Sequence, residues 1–152
     1  MNKRKSLKEL NLLDKFLFDE AMDDPENVKT MLDIILSQNT NLKQSPQTEK
    51  EQRISTDNRQ IRLDVYAIDE DDVIYEVEAQ KENTHNLLKR SRLYQGIIDS
   101  KLLPPGVVDF NLLNEVLIVM ITPFDLFGYG LYRYTFQMRC EEVPELKLDD
   151  GA

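Results

Sequence analysis

Cysteine and histidine are scarce in this sequence, and their scarcity excludes several classes of protein. Of 152 residues, one is a cysteine, Cys140, and one is a histidine, His85. A single cysteine excludes a disulfide within the chain, and the two residues cannot form a zinc site of the Cys/His type. No apolar run approaches the length that spans a membrane, and the basic N-terminus leads into no apolar signal-peptide core. We therefore expect a cytoplasmic protein with no membrane partner.

Glycine and proline are also few, at 5 and 6 residues, whereas hydrophobic residues make up 41% of the chain. This balance is ordinary for a packed globule, and the length suits a single domain over residues 1–152. Within it, the polar stretch 39–51 is predicted to be an exposed, mobile loop.

Positive charge is the scarcer sign, since the formal net charge is −9. This balance counts against proteins that hold nucleic acid, because these usually present a basic face to the phosphate backbone. The acidic run 69–72 contributes to it, and we expect that run to be solvated surface. A protein with this net charge would need local clusters of basic residues to present a basic face to nucleic acid. Two such clusters are present, Lys3, Arg4, Lys5 and Lys8 near the N-terminus and Lys89, Arg90 and Arg92 further along.

Apolar residues at helical spacing predict a pair of helices at the start of the chain. The first extends from Leu7 to Asp23, and Asp24 with Pro25 then interrupts it. The second begins at Pro25, whose ring suits a first helical turn. We expect this pair to cover one side of the core.

Two alternating segments predict neighbouring strands joined by the acidic turn. Asp64 lies on one face of the first strand, whereas Glu76, Glu78 and Gln80 share a face of the second. Asp64 can face Glu78 only if the hairpin pairs them directly, which requires a connection of about three or five residues centred on Asp71. No Asn-Gly, Asp-Gly or Gly-Gly pair favours a two-residue turn, so a longer connection is expected.

A helix and two further strands are predicted after this hairpin. Thr84 is the expected cap of the helix, which ends before Pro104. Residues 115–122 form a nearly continuous apolar run, as in a central strand covered on both faces. Residues 132–138 alternate and predict one more strand. The helix residues predicted to be buried are Leu87, Leu88, Leu93, Ile97 and Ile98.

The carboxylates of Asp64 and Glu78 lie where two paired strands could jointly hold a metal ion. Mg²⁺ takes oxygen ligands and is usually held by one or two carboxylates, waters and substrate phosphate oxygens. The carbonyl of Ala79 is a further candidate ligand. Such an ion would acidify a bound water and neutralise charge on a phosphate, which points to phosphodiester cleavage with Mg²⁺ or Mn²⁺. The alternative is an ordinary polar hairpin whose acids lie in water.

At these residues the chain resembles the PD-(D/E)xK nuclease superfamily, and within it the branch of recombination-promoting nucleases and transposases whose motif lysine is a glutamine. Here the motif reads Glu78-Ala79-Gln80. Segments 13–18, 90–95 and 116–124 also resemble that branch, in the same order. The resemblance covers roughly residues 10–140 and implies an α/β, restriction-endonuclease-like fold with a mixed central sheet flanked by helices. Members commonly continue beyond this length, so we expect the domain to be truncated at its C-terminus.

The resemblance also implies roles for individual residues. Asp64 and Glu78 would hold the metal, and the uncharged Gln80 would position water or a phosphate oxygen without the electrostatic contribution of a lysine. Asp14 matches the upstream acid of the first helix, although a helix-surface role is equally compatible. Glu76 is a candidate for a second metal position, but we favour a surface charge.

Residues of the following helix are the candidate contacts with nucleic acid. Lys89 or Arg90 could supply the positive charge that Gln80 lacks, and Tyr94 could instead pack at the edge of the core. The expected function is that of a bacterial DNA endonuclease from a mobile-element or recombination protein, with a homo-oligomer as the candidate assembly. The alternative, favoured by Gln80 and the acidic balance, is a catalytically silent nuclease fold for DNA binding or subunit assembly. The candidate DNA contacts are Lys89, Arg90, Arg92, Tyr94 and Gln95.

Overall fold

The computed structural model describes residues 11–52 and 61–152, and in these ranges the chain is a mixed α/β protein. The basic residues Lys3, Arg4, Lys5 and Lys8 and the first residues of the first predicted helix lie outside the described residues. A 3₁₀ turn at Phe110–Leu112 precedes the last strand. The helices are α1 (Lys15–Met22), α2 (Pro25–Leu36) and α3 (Leu87–Leu102), and the strands are β1 (Gln47–Gln52), β2 (Ile61–Ile68), β3 (Ile74–Ala79) and β4 (Val116–Ile121).

The four strands form one mixed sheet in the order β1-β2-β3-β4. The β1–β2 and β2–β3 pairs are antiparallel, whereas β3 and β4 are parallel and joined through α3. A parallel pair needs a crossover connection, and α3 provides it. This confirms the predicted strand-helix-strand unit.

Apolar residues on the two faces of the sheet form two separate cores. Val65 and Ala67 of β2 belong to the core beneath α1 and α2, whereas Tyr66 belongs to the core beneath α3. These three residues follow the period of two expected of a strand that is covered on both faces, whereas Leu63 of the same strand packs in the α3 core. The α1/α2 core joins Phe18, Met22, Val28 and Leu32 to Val65, Ala67, Tyr75 and Val77; the α3 core joins Tyr94, Ile97 and Ile98 to Leu63, Tyr66, Ile74 and Val116.

The two N-terminal helices begin at acidic caps. The Asp24 side chain accepts a hydrogen bond from the Glu26 amide at 3.0 Å, and Pro25 occupies the first turn of α2 as predicted. Helix α1 begins only at Lys15, with Asp14 at its N-cap, and is therefore shorter than predicted. No helix among residues 11–52 and 61–152 is both long and apolar enough to cross a membrane.

The predicted loop 39–51 was wrong at its C-terminal end, because Gln47–Gln52 is strand β1. Within the ranges 11–52 and 61–152, this strand lies at the edge of the sheet and pairs with β2 alone. Its polar sequence gave no strand signal, since an edge strand can be held by backbone hydrogen bonds without an apolar face. Lys50 nevertheless contacts the core, with its ammonium 3.4 Å from the centre of the Tyr66 ring.

Helix α3 differs from its prediction at the cap and in its buried face. Its N-cap is Asn86, to whose side chain the Thr84 hydroxyl donates at 2.7 Å. Leu88 and Leu93 were predicted to be buried but are 59% and 39% exposed. Both lie outside the stripe through which the helix packs, which has helical spacing. The buried residues of that stripe are Leu87, Tyr94, Ile97 and Ile98.

The predictions of a central β4 and a further strand were also wrong. Within the described residues, β4 pairs only with β3, and of its residues Val116 alone is fully buried. Residues 132–138 form no strand, and the nearest pairing is an isolated bridge between Arg139 and Lys147. Alternation alone does not make a strand, because the segment also needs a partner for its backbone hydrogen bonds.

The connection between β2 and β3 has the predicted odd length. Ile68 pairs with Ile74, which leaves the five residues 69–73 in the turn. Asp69 organises this turn: its Oδ1 accepts from the amides of Asp71 and Val73, and its Oδ2 accepts from the buried Tyr75 hydroxyl at 2.6 Å. Burial is the main cause of the raised pKa of Tyr75, and the contact with Asp69 raises it further. The expectation of solvated surface was therefore wrong for Asp69, although it holds for the other three residues of the acidic run.

Replacement of Asp69 by alanine is expected to lower the free energy of unfolding by about 2–4 kcal/mol, because a buried hydroxyl and two amides lose their acceptor. Urea denaturation followed by circular dichroism measures the change. Asp71→Ala, in the same turn but exposed, is the matched control and is expected to change stability by less than about 0.5 kcal/mol. Equal losses in the two variants would contradict this role of Asp69.

Candidate active site

The structure brings Asp64 and Glu78 together, as the predicted register requires. Val65 pairs with Val77, so the next position along the hairpin places Asp64 opposite Glu78. Both residues are buried, and the charge of Asp64 raises the pKa of the neighbouring Glu78 carboxyl group. Two carboxylates held close together oppose each other's ionisation. The two acids therefore form one coupled pair and not two independent surface charges.

Each oxygen of Asp64 has a different kind of partner. Oδ2 accepts from the backbone amide of Ala79 at 3.1 Å, and Oδ1 accepts from the Lys15 ammonium at 2.9 Å. Ala79, predicted as a ligand through its carbonyl, thus contacts Asp64 through its nitrogen. Sequence reasoning missed Lys15 altogether, because the contact spans 49 residues and no local pattern marks it.

Two residues of α3 contact Glu78, and both were among the candidate DNA contacts. Burial, followed by the charge of Glu78, raises the pKa of Tyr94, whose hydroxyl lies beside the Glu78 carboxyl group. An Arg90 nitrogen lies 3.5 Å from Oε2 of Glu78. The two residues are one helical turn apart, so a single helix face supplies both contacts. The expected charge from this helix is therefore present at Arg90, and Tyr94 combines a site contact with core packing.

Gln80 is held between a side chain and the backbone. Its Oε1 accepts from Arg90 at 2.7 Å, and its Nε2 donates to the carbonyl of Glu82 at 2.8 Å. Both ends of the amide are therefore engaged, which differs from the predicted role of positioning water or phosphate. What Gln80 positions in this structure is the Arg90 guanidinium, which also lies over the Tyr94 ring at 5.7 Å from its centre.

The other candidates lie around this pair without contacting it in the described structure. Lys89 and Arg92 are exposed on α3. Gln95 donates to Asp99 on the same helix at 3.1 Å. Asp14, the candidate upstream acid, forms an ion pair with Lys81 at the start of α1. This places Asp14 one residue from Lys15, at the border of the site.

The expectation that Glu76 is a surface charge was wrong, because its residue exposure is 0%. Strand β3 is an interior strand of the sheet, and α3 covers the face that carries Glu76. Neither carboxyl oxygen has a hydrogen-bond partner among the residues that the structure describes. Burial raises the pKa of Glu76 well above its ordinary range, and the nearby charges of Glu78 and Asp64 raise it further. The raised pKa of Glu76 favours its protonated form, which opposes a role as a charged ligand at a second metal position.

Glu78 titrates close to neutral pH. Burial, followed by the charge of Asp64, raises the pKa of Glu78 to about 7, whereas Tyr94 and Arg90 act in the opposite direction. Near pH 7 the Glu78 carboxyl group is therefore partly protonated. A cation bound here would favour its ionised form and release that proton.

The donor set fits a metal that is held by few protein ligands. Among the described residues there is no group of three or more acidic, histidine or cysteine side chains suited to a metal ion. Asp64 and Glu78 nevertheless meet the number of carboxylates that Mg²⁺ usually takes, with waters and substrate oxygens completing its coordination. The residues fit such a shared site and do not form a closed protein cage.

A pH-dependent contribution of Glu78 to stability is expected in the absence of divalent metal. Its pKa is about 7 in the folded protein against an ordinary 4.5. The contribution is fully present below about pH 4.5 and is lost as the pH rises through about 7. The stability of the natural protein relative to Glu78→Gln should thus fall by on the order of 2 kcal/mol between pH 5 and 8 in EDTA. Urea denaturation measures this difference, and a constant difference would contradict the raised pKa.

Replacement of Glu76 by methionine is expected to raise the free energy of unfolding by about 1–3 kcal/mol at pH 7, because it removes two buried oxygens that have no partner. Glu76→Gln is the matched control, since it keeps a polar group at this position and should give no such gain. Urea denaturation compares the two. If Glu76→Met is less stable than the natural protein and Glu76→Gln is not, Glu76 acts instead as the counter-charge of Arg90.

Comparisons with known proteins found no relative of this chain. No protein-family model matches the chain, and no curated protein or solved structure matches it.

Proposed function

We propose that the chain is a restriction-endonuclease-like domain that cleaves DNA with Mg²⁺ or Mn²⁺, in the manner of the recombination-promoting nucleases and transposases that its sequence resembles. The observation that carries the proposal is the pair of buried acids Asp64 and Glu78 on adjacent strands, with the pKa of Glu78 raised to about 7. Burying two acids against each other opposes folding, whereas acids on a purely structural hairpin can stay in water. Strongly shifted pKa values of this kind concentrate at functional sites.

The surrounding fold supports the same proposal. The pair lies on an antiparallel hairpin, and the second strand of that hairpin continues through α3 into a parallel strand. Helices cover both faces of the sheet. This agrees with the mixed sheet flanked by helices that the resemblance implies.

Asp64 and Glu78 are the residues that would hold the metal. When bound, the ion would acidify a water and neutralise charge on the scissile phosphate. The contacts of Tyr94 and Arg90 fix the orientation of Glu78. Gln80 holds Arg90 in place, so that the guanidinium supplies the positive charge that the third motif residue lacks. Lys89 and Arg92, exposed on the same helix, are the proposed contacts with the phosphate backbone beyond the site.

A catalytically silent domain that binds DNA or another subunit is the second candidate. The observation that favours it is that each carboxylate already has a cationic partner within the chain. Lys15 contacts Asp64, and Arg90 contacts Glu78. A site that is neutralised in this way could persist as a structural ion-pair network without binding metal. Metal binding and cleavage separate the two candidates.

Nicking of supercoiled plasmid in the presence of Mg²⁺ or Mn²⁺ tests the proposal. Asp64→Asn and Glu78→Gln keep the shapes of the side chains but remove their negative charge. Each is expected to reduce nicking by about 100-fold or more, because the metal loses a ligand. EDTA should abolish nicking by the natural protein.

The matched control is Glu70→Gln, which makes the same chemical change at an exposed position in the turn of the same hairpin. It is expected to leave nicking unchanged. Nicking that persists in both site variants would exclude this pair as the active site. Absence of nicking, together with absence of Mn²⁺ binding by calorimetry, would exclude the nuclease and favour the silent domain.

A further inference from the structure

The ion pair between Lys15 and Asp64 joins a largely exposed cation to a largely buried anion. The side chain of Lys15 is 52% exposed, whereas that of Asp64 is 12% exposed. Lys15 is the first residue of α1, and its ammonium reaches Asp64 from the border of the site. Lys15 is therefore the member of the pair that solvent reaches more readily.

The two oxygens of Asp64 accept hydrogen bonds from partners of different mobility. Oδ2 accepts from the amide of Ala79, a backbone group fixed in the sheet. Oδ1 accepts from the Lys15 ammonium, which is carried by a flexible four-carbon stem. A cation approaching Asp64 would thus compete with Lys15 for Oδ1. Two cations cannot share this oxygen closely, because like charges repel strongly at such distances.

Asp19 offers Lys15 a second partner if it leaves Asp64. It lies one helical turn along α1, and its Oδ2 is already 3.3 Å from the Lys15 ammonium. An (i, i+4) pair of this kind is stable at a helix surface but weak. Lys15 can therefore leave Asp64 without losing an ionic partner.

Arg90, the other cation of the site, is held quite differently. Gln80 accepts from its guanidinium at 2.7 Å, and its side chain is only 23% exposed. It is fixed in the interior beside Glu78. Among the residues that the structure describes, the site therefore contains one cation held in the interior, Arg90, and one at its exposed border, Lys15.

We propose that Lys15 exchanges with the metal ion on Asp64 and, once displaced, binds a phosphate of the DNA backbone at the mouth of the site. This inference rests on the proposed function, since it requires a metal ion on Asp64. The phosphate contact follows from position: a substrate phosphate that reaches the metal on Asp64 also comes close to the ammonium that has just left it. Lys15 then contributes positive charge to substrate binding, and Arg90 remains with Glu78.

Calorimetric titration with Mn²⁺, without DNA, tests the exchange. Lys15→Met removes the competing charge and keeps an unbranched side chain, so we expect Mn²⁺ affinity to rise by about three- to tenfold. Lys15→Arg keeps the charge and should retain the weaker affinity of the natural protein. Lys43→Met is the matched control: Lys43 pairs with Asp72 and is 55% exposed, but it lies in a different ion pair. Its affinity for Mn²⁺ should be unchanged.

The salt dependence of plasmid binding, measured with Ca²⁺ in place of Mn²⁺, tests the phosphate contact. The slope of log affinity against log salt concentration should become shallower by about one unit in Lys15→Met, because one phosphate contact is lost. It should stay unchanged in Lys43→Met. An unchanged slope in Lys15→Met would overturn the phosphate contact.

The calorimetric outcomes also separate this inference from the proposed function. Mn²⁺ binding by the natural protein with equal or weaker binding by Lys15→Met would overturn the exchange and leave the nuclease proposal standing. Absence of Mn²⁺ binding by both proteins would overturn the two together. Tighter binding by Lys15→Met that disappears in the double variant with Asp64→Asn is the result expected if the exchange takes place at Asp64.

Discussion

The register of the β2–β3 hairpin is the constraint on which the candidate site depends. Because side chains alternate along a strand, a shift of one residue would move Asp64 away from Glu78 and would also turn Val65 out of the core. The hydrogen bonds accepted by Asp69 set the length of the turn. The two apolar cores fix the face of the sheet on which each residue lies. The interactions that fold the hairpin therefore also assemble the carboxylate pair.

The site also shows how a chain with a net charge of −9 can hold buried acids. Burial and the neighbouring acids raise the pKa values of Glu76 and Glu78, which favours their protonated forms. The remaining negative charge is opposed by Lys15 on one side and by Arg90 on the other. The local balance is thus far less negative than the composition suggests, which removes part of the electrostatic objection to a phosphate substrate.

Periodicity predicted most of the sheet, the start of α2 and the parity of the hairpin turn, because these follow from contacts between near neighbours in sequence. It missed β1, whose polar residues are held by pairing with β2. It predicted a strand at 132–138 that has no partner. It placed Glu76 on the correct face but could not show that α3 covers that face. Lys15 had no sequence signal, since its contact with Asp64 joins distant segments.

The contacts of Gln80 explain why an uncharged amide fits this position. The Gln80 amide accepts from Arg90 and donates to the carbonyl of Glu82, so it needs both a donor and an acceptor. A lysine here would offer no acceptor and would repel the guanidinium. Gln80 and Arg90 therefore form a matched pair, in which Arg90 of α3 carries the positive charge. Glutamine at this position is then no argument against catalysis, and the two proposed functions differ in whether Asp64 and Glu78 bind a metal ion.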